Sequence, residues 1–226
     1  MAGRKTILAT GEIYHVFNRG ISSQPTFFDN RDYQRFLNAF IFYQNREPPM
    51  KLSLFLTSSY ENREKFIQES LAKSDFLVDN ISYCLMPTHF HFLLKQLEDG
   101  GISRFISNLT NSYTRFLNTK QKRVGPFFQG RFKAVRIETN EQLLHVSRYI
   151  HLNPFASFLV KNIEDLNSYI YSSFPEYLGK VKRELCQKDM VLGQYKTKEL
   201  YYKFVLDQAG YQRELELIKH LILENR

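Results

Sequence analysis

The pattern of apolar and polar residues along this chain predicts an alternation of short strands and amphipathic helices. Apolar runs rich in aromatic and branched residues predict strands at about 12–20, 80–85, 89–94 and 130–137. Apolar residues at helical spacing predict helices at about 30–45, 102–117 and 141–152. The predicted order is therefore strand, helix, strand, strand, helix, strand and then a further helix.

Two further regions show weaker patterns. Leu52, Leu54 and Leu56 alternate as in a strand, and residues 61–72 have the composition of a solvated helix. We interpret residues 48–79 as an insertion between the first helix and the second strand. Beyond residue 160, helical patterns return at 189–192, 199–206 and 213–223.

A pair of histidines occupies the third predicted strand. Side chains two positions apart on a strand point to the same face, so His89 and His91 are expected to aim together while Phe90 packs the other way. Two imidazoles on one rigid strand make half of a metal site. The alternative is that both are core or edge histidines with ordinary hydrogen bonds. His15, on the first strand, could face the same side, although a structural role is the simpler interpretation.

The helix at 141–152 carries a polar stripe that ends just before Pro154, where we expect the helix to stop. His145, Tyr149 and Asn153 follow one another at four-residue steps on this stripe. A tyrosine hydroxyl and a carboxamide one turn apart can present a nucleophile and a metal ligand together. Spacing alone favours the simpler alternative, in which the Tyr149 ring lies on the edge of the core and His145 lies on the helix surface.

The positive charge of the chain is local. The net charge is +8 and the isoelectric point is about 9.4. Residues 102–137 contain eight basic residues and no Asp or Glu. Phenylalanines 127, 128 and 132 are interleaved with them, and such a stretch can neutralise phosphates and stack bases. The alternative is a solvated basic face over core phenylalanines. The predicted nucleic-acid contacts are Arg104, Arg115, Lys120, Lys122, Arg123, Arg131 and Lys133.

The remaining composition excludes several classes of protein. The two cysteines, Cys84 and Cys186, lie in different regions, which argues against a disulfide framework or a cysteine-based zinc site and fits a reducing compartment. The N-terminal residues do not have the pattern of a signal peptide, and no apolar run approaches the length of a membrane span. We therefore expect a cytoplasmic protein that does not enter membranes.

Five segments, in chain order, resemble motifs of the single-tyrosine HUH transposases, in their REP-associated tyrosine transposase branch. His89-Phe90-His91 is similar to the His-hydrophobe-His motif, and Tyr149-Ile150-His151-Leu152-Asn153-Pro154 to the nucleophile helix. The sequence departs from the insertion-sequence members at two positions. Asn153 stands where they carry Gln, as in the REP-associated branch, and Thr88 stands where Asn is common. The other matching segments are 14–20, 86–89 and 128–133, and 172–179 resembles the segment that follows the catalytic domain.

The resemblance implies an α+β fold with a ferredoxin-like antiparallel sheet and helices on one face. The catalytic domain would span 1–160, and a helical C-terminal extension would span 161–226. It also implies a DNA transposase in which Tyr149 attacks a phosphodiester, forming a 5′-phosphotyrosine and freeing a 3′-OH that can later reseal the strand. His89, His91 and Asn153 would hold a divalent metal, Mg²⁺ or Mn²⁺.

The implied partner is single-stranded DNA with a hairpin or palindromic element. The protein would act as a monomer or homodimer, associated with the bacterial nucleoid. Two other functions remain compatible with the residues. One is a non-catalytic nucleic-acid-binding module on a ferredoxin-like sheet, and the other is a metal-dependent phosphodiesterase that uses water as its nucleophile.

Overall fold

The sheet at the centre of the molecule has four antiparallel strands. The computed structural model describes residues 7–182 and 184–224, with side chains through 217. The strands lie in the order β2-β3-β1-β4, so the histidine strand β3 is central and directly adjoins β1. The strands are Ile13–Arg19 (β1), Val78–Met86 (β2), His89–Gln96 (β3) and Lys133–Ile137 (β4).

Helices surround this sheet and continue to the end of the described chain. They are Asn30–Gln44 (α1), Leu52–Thr57 (α2), Tyr60–Lys73 (α3), Gly101–Lys120 (α4), Asn140–Ala156 (α5), Phe174–Tyr177 (α6), Asp189–Leu192 (α7), Lys198–Leu206 (α8) and Ala209–Glu224 (α9). Among the described residues, no helix is long and apolar enough to cross a membrane.

The alternation of β3 gives the sheet two chemically different faces. Phe90 and Phe92 are fully buried on what we call the phenylalanine face. His89 and His91 project from the opposite side, the histidine face, as the period of two in a strand requires. The predicted separation of the histidines from their phenylalanine neighbours is confirmed.

Helices α1 and α4 cover the phenylalanine face. The ring centroid of Phe36 in α1 lies 5.6 Å from that of Phe90, and Phe40 lies 5.1 Å from Phe92. Phe105 of α4 contacts the same cluster, 5.1 Å from Phe40. Large aromatic rings at helical spacing therefore form one continuous core with the sheet.

Removing a ring from the centre of this core has a large expected effect on stability. Phe36 is fully buried between the rings of its neighbours, so Phe36→Ala should lower the free energy of unfolding by about 3–5 kcal/mol in urea denaturation. The matched control is Phe28→Ala, because Phe28 is 50% exposed. A loss below about 1 kcal/mol is expected for the control. Equal losses for both variants would contradict this description of the core.

Helix α5 lies on the histidine face. Its N-cap residue is Thr139, whose side chain accepts a hydrogen bond from Gln142 N, as is typical of threonine at this position. Its Tyr149 ring lies 5.5 Å from the ring of His91. The fold class is therefore the predicted α+β antiparallel sheet, with α1 and α4 on one face as expected and α5 on the other.

Two local predictions are wrong. Leu52, Leu54 and Leu56 belong to the helix α2 instead of a strand, because Phe55 packs with Phe42 and Phe66 in a small separate core. Three alternating leucines are too short a pattern to distinguish the two structures. Helix α5 also continues through Pro154 to Ala156. A proline in the last turn removes only one backbone donor, so the helix can continue through it. It ends two residues later, at Ala156.

The part of the chain after residue 160 packs directly against the sheet and α5. Ser173 N donates to the Tyr83 carbonyl over 2.9 Å, and Leu85 N donates to the Tyr171 carbonyl over 2.9 Å, which covers the open edge of β2. His151 is fully buried and contacts Ser173 Oγ and the Tyr201 hydroxyl, both at 2.8 Å. These contacts tie α5 to the C-terminal helices.

Candidate functional site

A pocket of about 450 Å³ opens on the histidine face where β1, β3, β4, α5 and α9 meet. It brings together four residues predicted from the sequence, His89, His91, Tyr149 and Asn153, and several that were not. The lining residues are His15, Phe17, Asn18, Arg19, His89, His91, Val135, Tyr149, Asn153, Ser157 and Glu216.

The central residue of this pocket is His91. It is only 6% exposed and lies opposite Phe17 in the β1–β3 pairing. Its Nδ1 lies 2.9 Å from Nε2 of His15, so one ring donates a hydrogen bond to the other. A ring held in this way through Nδ1 is oriented to bind a metal through Nε2.

His89 is fixed by its neighbour in the turn between β2 and β3. Thr88 Oγ1 and His89 Nδ1 lie 2.9 Å apart and share a hydrogen bond. The rings of His89 and His91 have centroids 4.9 Å apart and are nearly perpendicular, at 87°. Both rings therefore have Nδ1 engaged by a side chain, and Nε2 is the nitrogen with which each would bind a metal.

The electrostatics of the pocket keep the flanking imidazoles neutral near pH 7. Burial lowers the pKa of His15 to about 4. The pKa of His89 is also lowered to about 4, first by burial and then by the positive charge of Arg19, with Glu216 acting in the opposite direction. A neutral imidazole has the lone pair that a metal requires.

Tyr149 reaches the histidines from α5. Its ring centroid is 5.5 Å from that of His91 and 5.8 Å from that of His15, edge to face in both cases. The carbonyl of Tyr149 accepts hydrogen bonds from Asn153 Nδ2, at 2.9 Å, and from Gln212 Nε2 of α9, at 3.1 Å. Because Nδ2 of Asn153 is turned toward the helix backbone, Oδ1 is the amide atom suited to a metal.

The donors in the pocket fit a divalent transition-type ion. No group of three or more His, Cys, Asp or Glu with metal-binding geometry occurs in residues 7–182 and 184–217, so the set would be two imidazole nitrogens and the Asn153 amide oxygen. Magnesium prefers oxygen ligands, whereas imidazole suits softer divalent ions. This donor set therefore favours Mn²⁺ over Mg²⁺.

Of the predicted DNA contacts, Lys133 lies on the histidine face. It is exposed at the start of the edge strand β4, opposite Phe17 in the β1–β4 pairing. Arg131 lines a different depression, between α4 and the loop before β4. The strand pairing therefore places Lys133 on the same face of the sheet as the pocket.

The predicted contacts on α4 belong to the helix that covers the phenylalanine face, and two of them have acidic partners. Lys120 Nζ lies 2.8 Å from Asp29 and 2.6 Å from Asp32. Arg104 donates to the Arg46 carbonyl and lies 3.6 Å from a Glu98 oxygen. Arg115 is exposed on the same helix.

The loop after α4 holds the remaining predicted contacts and their phenylalanines. Arg123 stacks over Phe127 with its guanidinium carbon 4.6 Å from the ring centroid, and Lys122 is exposed. Phe127 and Phe128 are only 1% and 6% exposed. The expectation that these two rings stack bases is wrong, because they belong to the core.

Three ionisable residues of the pocket were not predicted as site residues. His15 supports His91, Arg19 lies opposite His89 in the strand pairing, and Glu216 comes from α9. The alternation of β1 could have placed His15 on the correct face. Its contact with His91, however, depends on the pairing of two strands that are 76 residues apart in sequence. His145 lies outside the pocket, exposed and bonded through Nδ1 to Arg148.

Comparisons with known proteins found one matching family and a solved structure of similar fold. Residues 51–153 match the family described as "Transposase IS200 like". The matched range contains His89, His91, Tyr149 and Asn153. A comparison with curated proteins gave no match. Among solved structures, a REP-associated tyrosine transposase bound to a REP hairpin is similar in fold. The TM-score is 0.56 at 15% sequence identity, and the match covers 82% of this chain and 90% of that protein.

Proposed function

We propose that this chain, which over residues 51–153 matches the IS200-like transposase family, cuts and rejoins single-stranded DNA through a covalent bond to Tyr149. The observation that carries the proposal is the meeting of three elements, since the Tyr149 ring from α5 lies 5.5 Å from His91 of β3 and 5.8 Å from His15 of β1. The similar fold that is bound to a REP hairpin supports a hairpin-containing strand as the substrate.

Tyr149 is the nucleophile in this proposal. Its hydroxyl oxygen forms a bond to the scissile phosphorus, and the bond from phosphorus to the 3′ oxygen breaks, which leaves a 5′-phosphotyrosine and a free 3′-OH. The tyrosine proton is lost and a proton is gained by the departing 3′ oxygen. Because the phosphodiester energy is kept in the new bond, a second 3′-OH can reverse the reaction and join strands without another energy source.

A tyrosine with an ordinary pKa of about 10 is a poor nucleophile at neutral pH, so the surroundings must assist it. His89, His91 and Asn153 would hold a divalent ion, which when bound polarises the phosphate and orients it for attack. His15 orients His91. Arg19, at the end of β1 and opposite His89, adds positive charge to the pocket. Lys133 guides the DNA strand along the β4 edge of the sheet.

The proposal is tested with a labelled single strand that contains a hairpin, incubated with the protein and Mn²⁺. We expect an SDS-stable protein–DNA adduct and a product with a free 3′-OH, both removed by a chelator. Cutting without any adduct would favour the phosphodiesterase that uses water. Tight binding without cutting of any hairpin substrate would favour the non-catalytic binding module.

His15 is a positioning residue for His91. Replacing it with Ala removes the 2.9 Å contact that fixes the tautomer and orientation of His91, and we expect Mn²⁺ affinity to fall by about 10–100-fold. Isothermal titration with Mn²⁺ measures this directly, without DNA. His15→Gln, which keeps a polar group at this position, should recover part of the affinity. Unchanged affinity in His15→Ala would contradict the positioning role.

This function would place the protein on DNA in the bacterial nucleoid. The pocket is assembled from a single chain, so one protomer carries the complete set of proposed catalytic groups. The function therefore requires no second copy, although a homodimer would be compatible with it.

A further inference from the structure

A second concave surface lies between α1, α2 and α4 and shares no residue with the pocket of the histidine face. This α1/α4 groove has a volume of about 740 Å³, within the range of roughly 300–1,000 Å³ that is typical of small-ligand sites. Its polar walls carry Arg31 and Arg35 from α1 and Asn111 and Arg115 from α4, and Phe116 contributes an aromatic ring.

The groove is basic. Its lining contains three arginines and one lysine but no Asp or Glu. Lys120 is offset by Asp29 and Asp32 at the adjoining end of α1. Arg31 and Arg115 are exposed, and neither takes part in an ion pair among the residues that the structure describes. Two guanidinium groups on facing helices therefore present uncompensated positive charge to the same space.

An aromatic ring and a fixed guanidinium also line the groove. Arg35 donates from Nη2 to Ser112 Oγ over 2.9 Å, and its guanidinium carbon lies 5.5 Å from the centroid of the Phe116 ring. Planar guanidinium and aromatic groups are the surfaces on which unstacked bases pack. The amide of Asn111 on the same wall can donate to and accept from a base edge.

The groove lies on the opposite side of the molecule from Tyr149. Helices α1 and α4 turn Phe36, Phe40 and Phe105 inward against the phenylalanine face of the sheet. Their polar residues face outward, away from the sheet, whereas Tyr149 lies on the histidine face. A ligand in the groove is therefore separated from the catalytic residues by a helix layer and the sheet.

We propose that the α1/α4 groove is a separate site for unpaired DNA, in which Arg31 and Arg115 bind phosphates and a base stacks against Phe116. A duplex keeps its bases stacked inside and offers mainly phosphates to a surface, whereas an unpaired nucleotide can fill a concavity with its base. The choice of DNA as the ligand rests on the proposed function. The site would hold a segment of the strand that is not being cut, and so anchor the substrate at a distance from the cleavage point.

The test is fluorescence anisotropy with a labelled unpaired oligonucleotide of about ten nucleotides, without hairpin or divalent metal. The variant Arg31→Ala/Arg115→Ala removes two exposed charges and should weaken binding roughly tenfold. It should also reduce the slope of log affinity against log salt by about 1.4, since each phosphate contact to a single strand contributes about 0.7. Phe116→Leu, which keeps an apolar side chain, should weaken binding about tenfold with no change in that slope.

The matched control is Lys161→Ala/Lys196→Ala, which removes the same charge from exposed positions away from the groove. An equal loss of affinity in this control, or wild-type binding by Arg31→Ala/Arg115→Ala, would overturn the site. A duplex that binds as tightly as the unpaired strand through the same two arginines would overturn the choice of occupant. The assay contains no cleavage step, so failure to form a tyrosine adduct would reject the proposed function and leave this inference standing.

Discussion

We expect replacement of Tyr149 with phenylalanine to eliminate the covalent protein–DNA adduct and to lower strand cleavage by at least about 10⁴-fold, the scale expected when a nucleophile is removed. The substitution deletes one oxygen atom. The ring that lies edge to face with His15 and His91 remains, and so do the hydrogen bonds from Asn153 and Gln212 to the backbone carbonyl. The pocket should therefore keep its shape, and only the attacking group is lost.

The assay is the denaturing gel described above, with a hairpin-containing strand and Mn²⁺. Tyr60→Phe is the matched control, because it deletes the same oxygen atom from a tyrosine outside the pocket. Tyr60 lies on α3 and is 66% exposed. It should form the adduct at the wild-type level. If Tyr149→Phe cuts DNA as well as wild type, water is the nucleophile, and the tyrosine mechanism is wrong.

The histidine strand shows what local sequence patterns can predict. A period of two over 89–94 places two imidazoles on one face and two phenylalanines on the other, and the structure has this arrangement. The same pattern carries no information about Tyr149, whose approach to His91 depends on how α5 crosses the sheet. Spacing alone favoured a structural role for that tyrosine, and only the resemblance to a known family placed it near the histidines.

The partners of the histidines were beyond local patterns for the same reason. His15 and His91 meet because β1 pairs with β3, which is a property of the strand order and not of either segment. Thr88, one of the two positions at which the sequence departs from the motifs that it resembles, bonds to the ring of His89. This departure therefore bears directly on the orientation of a proposed metal ligand.

The basic stretch shows the opposite limitation. A charge count along 102–137 correctly identifies a basic region, but the structure distributes its members over different surfaces. Lys133 lies on the histidine face, Lys120 is paired with two carboxylates, and Arg115 lies in the α1/α4 groove. Arg31 and Arg35 complete that groove from a segment about 80 residues earlier, outside the basic stretch. Proximity in sequence thus predicted the sign of the charge but not which groups act together.

The second large expected effect concerns the metal ligands. We expect His89→Ala and His91→Ala each to abolish both Mn²⁺ binding and cleavage. Each substitution removes one of two imidazoles whose Nδ1 atoms are held by neighbouring side chains. One imidazole and the Asn153 amide then remain of the proposed ligand set, which is too few donors to hold the ion tightly. We expect cleavage to fall by at least about 10³-fold, as for loss of a group that stabilises charge in the transition state.

Calorimetric titration with Mn²⁺ separates loss of the metal from loss of the fold, because it can be read beside the thermal unfolding of each variant. His145→Ala is the matched control. His145 is on the same helix as Tyr149 but is exposed and bonded to Arg148, so its variant should bind Mn²⁺ and cut DNA like wild type. If His89→Ala and His91→Ala retained Mn²⁺ affinity while the protein stayed folded, the ion would have to bind elsewhere. The convergence of the two imidazoles would then be structural, which is the simpler alternative that the sequence left open.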